Sequence, residues 1–195
     1  MGGENRGTMM AASLVRTARS VGIPPEGIHR LSRAHALAMQ PRLAALEDEH
    51  HPLFLHPGRT VLVLLRDVSC VDAALLAAAA LVESEDAELR VAAPAIRDAF
   101  GCEIAELVAA VPTPGTASLA EALVTADERV RLLALAERLD HLRHAHLREA
   151  DERWRIAAHA EAVAIYGPVA ERTHPRLARR YAHWCGAFAK RLERG

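Results

Sequence analysis

The feature that most constrains the fold is an uncharged apolar run of ten residues, 73–82. The run is too short to cross a bilayer, because a spanning helix needs about 20 apolar residues. A helix that is apolar on nearly all sides is usually buried in the centre of a helical bundle. The run therefore predicts a central helix from Val71 to about Glu83, packed among other helices.

Composition places the chain among globular proteins with one core. Of the 195 residues, 51% are apolar, which suffices for one sizeable core but not for two ordinary domains. The 24 basic and 25 acidic residues give a net charge of −1, so we expect neither nucleic acid nor a membrane as partner. The beginning of the chain lacks the apolar stretch of a signal peptide. The three scattered cysteines indicate neither a disulfide framework nor a metal pair. We expect a cytoplasmic protein.

The rest of the chain favours helix throughout. Alanine, leucine, arginine and glutamate are abundant and have high helix propensity, whereas runs of β-branched residues are short. We therefore predict an all-α fold. Residues 1–20, which begin polar and rich in glycine, are predicted to be a flexible N-terminal arm. Residues 21–195 are predicted to form one bundle of about eight or nine helices.

Local signals suggest where several helices begin and end. Pro25 marks the start of the first helix, and Pro168 should kink or end a long helix, because proline lacks an amide donor. Ser118 and Thr125 each precede a glutamate by three residues, a spacing that predicts two capping boxes. The last predicted helix extends from Pro175 to Arg194. Its apolar face either closes the bundle or forms a dimer contact, and closure is the preferred interpretation.

The sequence contains eleven histidines, which are potential metal ligands. His141 and His144 stand at helical spacing, which brings two imidazoles near one another. A site on these two needs a third ligand, and no neighbouring residue completes a known metal motif. They are accordingly predicted to be solvent-facing or core histidines.

Several short motifs follow one another between residues 30 and 170. They are His56-Pro57, Ala79-Ala80-Leu81-Val82, Phe100-Gly101, Leu135-Ala136-Glu137-Arg138-Leu139, Leu142-Arg143 and Ile165-Tyr166-Gly167-Pro168. In order and spacing they resemble the HD-domain hydrolases of the RelA/SpoT type, including the small alarmone hydrolases. The resemblance implies an HD-like helical domain and an ancestral metal-dependent hydrolysis of guanosine polyphosphates such as (p)ppGpp.

The resemblance also implies where a metal would bind. In that family a histidine, a His-Asp pair and a later aspartate hold one divalent ion that activates water. Here His56 is present, the His-Asp pair is replaced by Glu83 and Ser84, and Glu137 replaces the aspartate. Because a hydroxyl is a poor ligand, no metal is expected. If an ion does bind, His56, Glu83 and Glu137 are its predicted ligands, with manganese or another divalent metal as cofactor.

The remaining family positions give candidate catalytic and ligand-binding residues. The catalytic Glu-Asp pair of the family falls on Ala87-Glu88, or on Glu85-Asp86 if the alignment slips by two residues. Arg138, Arg143 and Tyr166 match positions that would line a ligand pocket. A basic pair that contacts the nucleotide is replaced by acidic residues 47 and 48, which would repel a polyphosphate.

Three functional hypotheses remain open from the sequence. The preferred hypothesis is a pseudoenzyme that acts as a ligand-binding or interaction module, with a small molecule or nucleotide as ligand. The second is a phosphohydrolase with a metal on His56, Glu83 and Glu137, and with Glu85 or Glu88 as base. The third is a metal-independent enzyme that uses His56 and Glu83 as an acid–base pair. A homodimer or a protein partner is compatible with all three.

Overall fold

The chain folds as an array of α-helices, as the composition predicts. The structure, a computed structural model, describes residues 5–147 and 152–192 and contains no strand in these ranges. The helices are α1 (Arg6–Ser20), α2 (Pro25–Ala45), α3 (His56–Val63), α4 (Ala73–Leu81), α5 (Ala93–Phe100), α6 (Cys102–Ala109), α7 (Leu119–Thr125), α8 (Glu128–His144), α9 (Glu152–Glu161), α10 (Gly167–Thr173) and α11 (Pro175–Leu192). None of the described helices is long and apolar enough to cross a membrane.

Helix α4 is the centre of the bundle, as its apolar sequence predicts. All residues from Ala74 to Leu81 are buried, and α4 packs against α2, α3, α6 and α8. Its alanines have small side chains that let the neighbouring backbones approach closely. Asp72 caps the helix by accepting hydrogen bonds from the amides of Ala74 and Leu75. Because of this packing, the end of α4 and Glu83, which follows it, lie close to the middle of α8.

The predicted flexible arm is wrong for residues 6–20, which form helix α1. The side chain of Asn5 caps this helix, and Leu14 and Ala18, one helical turn apart, are buried in the core. Arg6 ties the start of α1 to Glu49 through two hydrogen bonds of 2.9 and 2.7 Å. A Cβ at position 58 would overlap Met10, so Gly58 allows α1 to pack closely on α3. Polar residues at the beginning of the segment concealed this apolar face.

The helix count exceeds the predicted eight or nine because α1 is present and the long helix before Pro168 is divided. Residues Ala162–Tyr166 form a π-helical turn between α9 and α10, and Pro168 lies in the first turn of α10. A second π-helical turn, Leu64–Val68, extends α3. It ends at Ser69, whose φ of 59° is left-handed.

The two predicted capping boxes are also wrong. Ser118 makes no capping hydrogen bond with its side chain, and the hydroxyl of Thr125 donates to the carbonyl of Glu121 at the end of α7. Asp127 caps α8 instead, with its carboxylate accepting from the amide of Val130 at 2.9 Å. A capping residue of either kind satisfies the same free amide, so the tertiary course of the chain decides which one is used.

Helix α11 closes the bundle with its apolar face. Leu177, Tyr181 and Phe188 are buried, and the Tyr181 hydroxyl donates to the carbonyl of Leu135 on α8 at 2.8 Å. Tyr181 also stacks on Tyr166, with ring centroids 6.2 Å apart. The helix is described as far as Leu192, and the predicted end at Arg194 lies outside the described residues.

Candidate functional site

The histidine and the two glutamates of the predicted metal set lie in one buried cluster. His56 begins α3, Glu83 follows the end of α4, and Glu137 lies in the middle of α8. The exposed fractions of these three residues are 0, 3 and 1%. Contacts with His141, which the sequence analysis did not count as a site residue, connect them.

His56 is fixed by a carboxylate one residue before His141. The Nδ1 atom of His56 lies 2.9 Å from Oδ2 of Asp140, and Arg59 donates to the other oxygen of Asp140 at 2.9 Å. Burial would raise the pKa of Asp140, but hydrogen bonds from His144 and His56 and the charge of Arg59 hold it well below its usual value. An ionised carboxylate only accepts hydrogen bonds, so His56 carries its proton on Nδ1. Its Nε2 atom is buried without a hydrogen-bond partner.

Glu83 is held by a buried arginine. Its Oε2 atom lies 2.7 Å from Nη2 of Arg42, and both side chains are almost completely buried. Its Oε1 atom accepts from the amides of Glu85 and Asp86 at 3.2 and 3.1 Å. Arg42 also donates to the carbonyls of Ala38, Leu53 and Leu89. Glu83 therefore anchors the loop after α4 and is already paired with a cation.

His141 occupies the space among the carboxylates. Its Nε2 atom lies 3.3 Å from Oε1 of Glu137 and 3.8 Å from Oε1 of Glu83, and its Nδ1 atom lies 3.5 Å from Oε2 of Glu85. Burial would lower the pKa of His141, but the charges of Glu85 and Glu137 raise it to about 9. A protonated His141 at neutral pH therefore balances part of the negative charge around it.

Glu137 is stabilised in its ionised form. Burial would raise its pKa, but His141, His56 and a hydrogen bond from Ser84 lower it to about 2. The hydroxyl of Ser84 donates to Oε1 of Glu137 at 2.6 Å, and the amide of Ser84 donates to the same atom at 3.1 Å. Ser84, which aligns with a metal-binding aspartate in the motif comparison of the sequence analysis, is thus a hydrogen-bond donor to Glu137.

The two predicted bases have different positions. Glu85 pairs with Nη1 of Arg138, and Arg138 also contacts Glu161 at 2.8 Å. Glu88 is exposed, and its amide donates to Asp86 at 3.0 Å. Glu85 is therefore partly buried and contacts the buried charges, whereas Glu88 lies outside them.

The three predicted ligand-binding residues do not line one pocket. The guanidinium of Arg138 lies over the rings of Trp154 and Tyr166 and is buried. Tyr166 is itself 1% exposed, so it is part of the core. Arg143 stacks on Trp184, with 5.9 Å from the guanidinium carbon to the ring centroid, and lines a separate cavity beside α3 and α11. Arg138 and Tyr166 are therefore neighbours in the core, whereas Arg143 faces a separate cavity.

We call the buried charged residues around His141 the interior charge cluster. Its members are Arg42, His56, Glu83, Glu85, Glu137, Arg138, Asp140 and His141. Two cavities open beside it and share Ser84 as a lining residue. One of about 190 Å³ lies against Glu83 and Arg90, and one of about 270 Å³ lies against Arg138 and Trp154.

Three donors of the cluster could hold a metal ion. Ligand atoms of His56, Glu137 and His141 all lie within 4.8 Å of one another. Two imidazoles and one carboxylate form a ligand set that zinc accepts, and the carboxylate of Asp140 orients His56 as such ligands require. Both ring nitrogens of His141 lack an aligned hydrogen-bond partner. The residues therefore fit a transition metal, provided that the ion displaces the proton on His141.

This set differs from the predicted one at a single position. His141 is present in place of Glu83, because Arg42 and two backbone amides hold the Glu83 carboxylate. The sequence paired His141 with His144, but the partners of His141 in this set are Glu137 and His56, the latter 85 positions earlier in the chain. The spacing of four residues between Glu137 and His141 was the only local signal that these two residues share a helix face.

Comparisons with known proteins assign no family to this chain. No protein-family profile matches it, and no curated protein matches its sequence at a significant level.

Proposed function

We propose that this chain is a non-catalytic ligand-binding or interaction module, a pseudoenzyme built on the helical frame of an HD-type phosphohydrolase. The relation to that class rests on the sequence motifs around His56, Phe100 and Glu137. The observation that supports the proposal most is that protein cations pair with the carboxylates of the interior charge cluster. Arg42 pairs with Glu83, and His141 pairs with Glu137.

Charge pairing of this kind disfavours hydrolysis for a physical reason. A metal-activated hydrolase needs carboxylates whose charge is available to an ion, and an open position on that ion for water. Here Asp140 is shared by His56 and Arg59, and Arg138 is shared by Glu85 and Glu161. His56 is also fully buried, so no substrate reaches its free Nε2 atom without a rearrangement of the cluster.

The test is metal content and metal response of the full chain purified without chelator. We expect no stoichiometric ion, no change in melting temperature at millimolar manganese or zinc, and no pyrophosphate release from guanosine tetraphosphate. A stoichiometric ion that is lost in His56→Ala but retained in His50→Ala would overturn the proposal. His50 is a suitable control because it is an exposed histidine outside the cluster.

A metal-dependent phosphohydrolase is the second candidate, favoured by the Nε2 atoms of His56 and His141, which are buried and make no hydrogen bond. In that case His56, Glu137 and His141 would hold the ion, and the ion would activate water against a phosphoester. Asp140 would keep His56 in the correct tautomer, and Ser84 would orient Glu137. His141→Gln should then abolish metal binding, whereas Glu83→Gln should leave the three ligands in place.

The third hypothesis, an acid–base pair of His56 and Glu83, receives no support from the contacts. His56 is bonded to Asp140, and Glu83 is bonded to Arg42. Each partner of the predicted pair therefore has its own counter-charge.

A further inference from the structure

A third cavity, lined by residues of α3, α8 and α11, carries a surplus of positive charge. Its volume is about 260 Å³, and its lining residues are Arg59, Leu62, Val63, Arg66, Asp67, Arg143 and Arg180. These residues come from α3 with its π-helical extension, from α8 and from α11. We call this cavity the arginine pocket. None of the sequence motifs predicted it, although Arg143 belongs to one of them.

The charge of the arginine pocket is not balanced. Arg180 pairs with Asp67 at 3.0 Å, and Arg59 pairs with Asp140 at 2.9 Å. No acidic side chain among the described residues forms a salt bridge with Arg66 or Arg143. Within the described ranges, four guanidinium groups therefore face two carboxylates, in a chain whose net charge is −1. The surplus of two positive charges matches the charge of a phosphate group near neutral pH.

Three of the arginines are held in position before any ligand arrives. Asp67 accepts from Nε of Arg180, Asp140 accepts from Nε of Arg59, and the ring of Trp184 supports Arg143. Guanidinium groups fixed in this way lose little freedom when they bind, and each offers a fork of donors that matches phosphate oxygens. Arginine is the common basic residue of this chain, so arginine content alone indicates nothing. The convergence of three elements on one cavity with unpaired charge is the specific observation.

We propose that the arginine pocket binds the phosphate group of a small phosphorylated metabolite. Its size limits the ligand, because pockets for drug-sized molecules begin at about 300 Å³. A phosphate monoester with a short organic part fits this volume, and Leu62 and Val63 give the organic part an apolar wall. The pocket borders the interior charge cluster through the Arg59–Asp140 pair. Arg66, Arg143 and Arg180 lie outside the cluster, so phosphate binding here does not require a metal in the cluster.

The test uses inorganic phosphate and ribose 5-phosphate as probes, with chloride and sulfate at matched ionic strength. We expect both phosphate compounds to raise the melting temperature of the full chain and to bind in calorimetry, with ribose 5-phosphate the tighter ligand. The double variant Arg66→Gln/Arg143→Gln should bind at least about tenfold more weakly, since charge-assisted hydrogen bonds are lost. Arg66 is exposed, so the single variant Arg66→Gln tests the same point without risk to folding.

The matched control removes two positive charges elsewhere. Arg30 and Arg97 are exposed and outside the pocket, so Arg30→Gln/Arg97→Gln should bind the probes as the natural chain does. Equal binding by the pocket variant and the control would overturn the proposal, as would no binding at millimolar phosphate. Binding of inorganic phosphate and sulfate alike, but not of the sugar phosphate, would also overturn it, because the pocket would then be a site for adventitious anions. None of these results depends on metal content, so failure here is distinguishable from failure of the proposed function.

Discussion

The interior charge cluster and the arginine pocket contain the same residue types in opposite electrostatic conditions. In the cluster, arginines and His141 neutralise buried carboxylates, for example at 2.7 Å for Arg42–Glu83 and at 3.3 Å for His141–Glu137. In the pocket, Arg66 and Arg143 have no carboxylate partner among the described residues and are accessible to solvent. Removing one partner of a buried charge pair destabilises the fold, whereas an unpaired accessible charge is available to a ligand. The following predictions test this difference.

The largest expected effect comes from removing the most buried cation. Arg42→Met leaves the buried Glu83 without its arginine counter-charge and removes donors to three carbonyls. We expect a loss of about 3–5 kcal/mol in the free energy of unfolding. Urea denaturation measures it, with the exposed Arg30→Met as the control in the same helix. Arg42→Met/Glu83→Met should recover part of the loss. A double variant as unstable as the single one would show that the ion pair is not the cause.

A somewhat smaller effect is expected for His141, the cation among the carboxylates. His141→Gln removes the positive charge next to Glu137 and should lower the free energy of unfolding at pH 7 by about 3 kcal/mol. Because the pKa of His141 is raised to about 9, its stabilisation is complete below pH 6.5 and is lost as the pH rises through 9. The difference in the free energy of unfolding between the natural chain and His141→Gln should therefore shrink above pH 8. A difference that stays constant from pH 7 to 10 would contradict the positive charge assigned to His141.

His35 should behave in the opposite way with pH. Burial and the charge of Arg42 lower the pKa of His35 to about 4, so the folded chain keeps it neutral while the unfolded chain protonates it. The free energy of unfolding should fall as the pH drops from 6.5 to 4. His35 alone should account for a loss of about 2 kcal/mol at pH 5. Thermal denaturation of His35→Gln should show a smaller acid-induced decrease. The exposed His29→Gln, in the same helix, should retain the full decrease.

The smallest effect on stability is expected in the arginine pocket. Arg66→Gln and Arg143→Gln should each change the free energy of unfolding by no more than about 0.5 kcal/mol, because neither guanidinium has a buried counter-charge. The double variant should be as stable as Arg30→Gln/Arg97→Gln in urea denaturation. A loss of more than about 2 kcal/mol in the free energy of unfolding would mean that the pocket arginines stabilise the fold and are not available to a ligand.

Local features of the sequence were sufficient to predict much of the fold. Helix propensity and the apolar run 73–82 correctly predicted an all-α structure around a central helix, because both depend on residues within a few turns. The prediction failed where a segment is stabilised by distant partners. Helix α1 is held by Glu49 and by the space above Gly58, and neither contact is visible in the residues of the helix itself.

The candidate site divides in the same way. The motifs singled out His56, Glu83 and Glu137, which the structure places in one buried cluster, but they did not predict the partners that determine its chemistry. Asp140 pairs with His56 across 84 positions, and Arg42 pairs with Glu83 across 41. His141 was predicted to be a solvent-facing or core histidine, because residue spacing along one helix identifies only the neighbours on that same helix.

The sequence by itself determined the helical fold class, the buried central helix and the residue types available for chemistry. Only the tertiary structure decided which cation neutralises which carboxylate, and which arginines remain without a partner. The physical reason is that helix formation and amphipathic periodicity are local, whereas Coulomb interactions depend on distances of a few ångströms between elements far apart in the chain. Those distances exist only once the helices have packed.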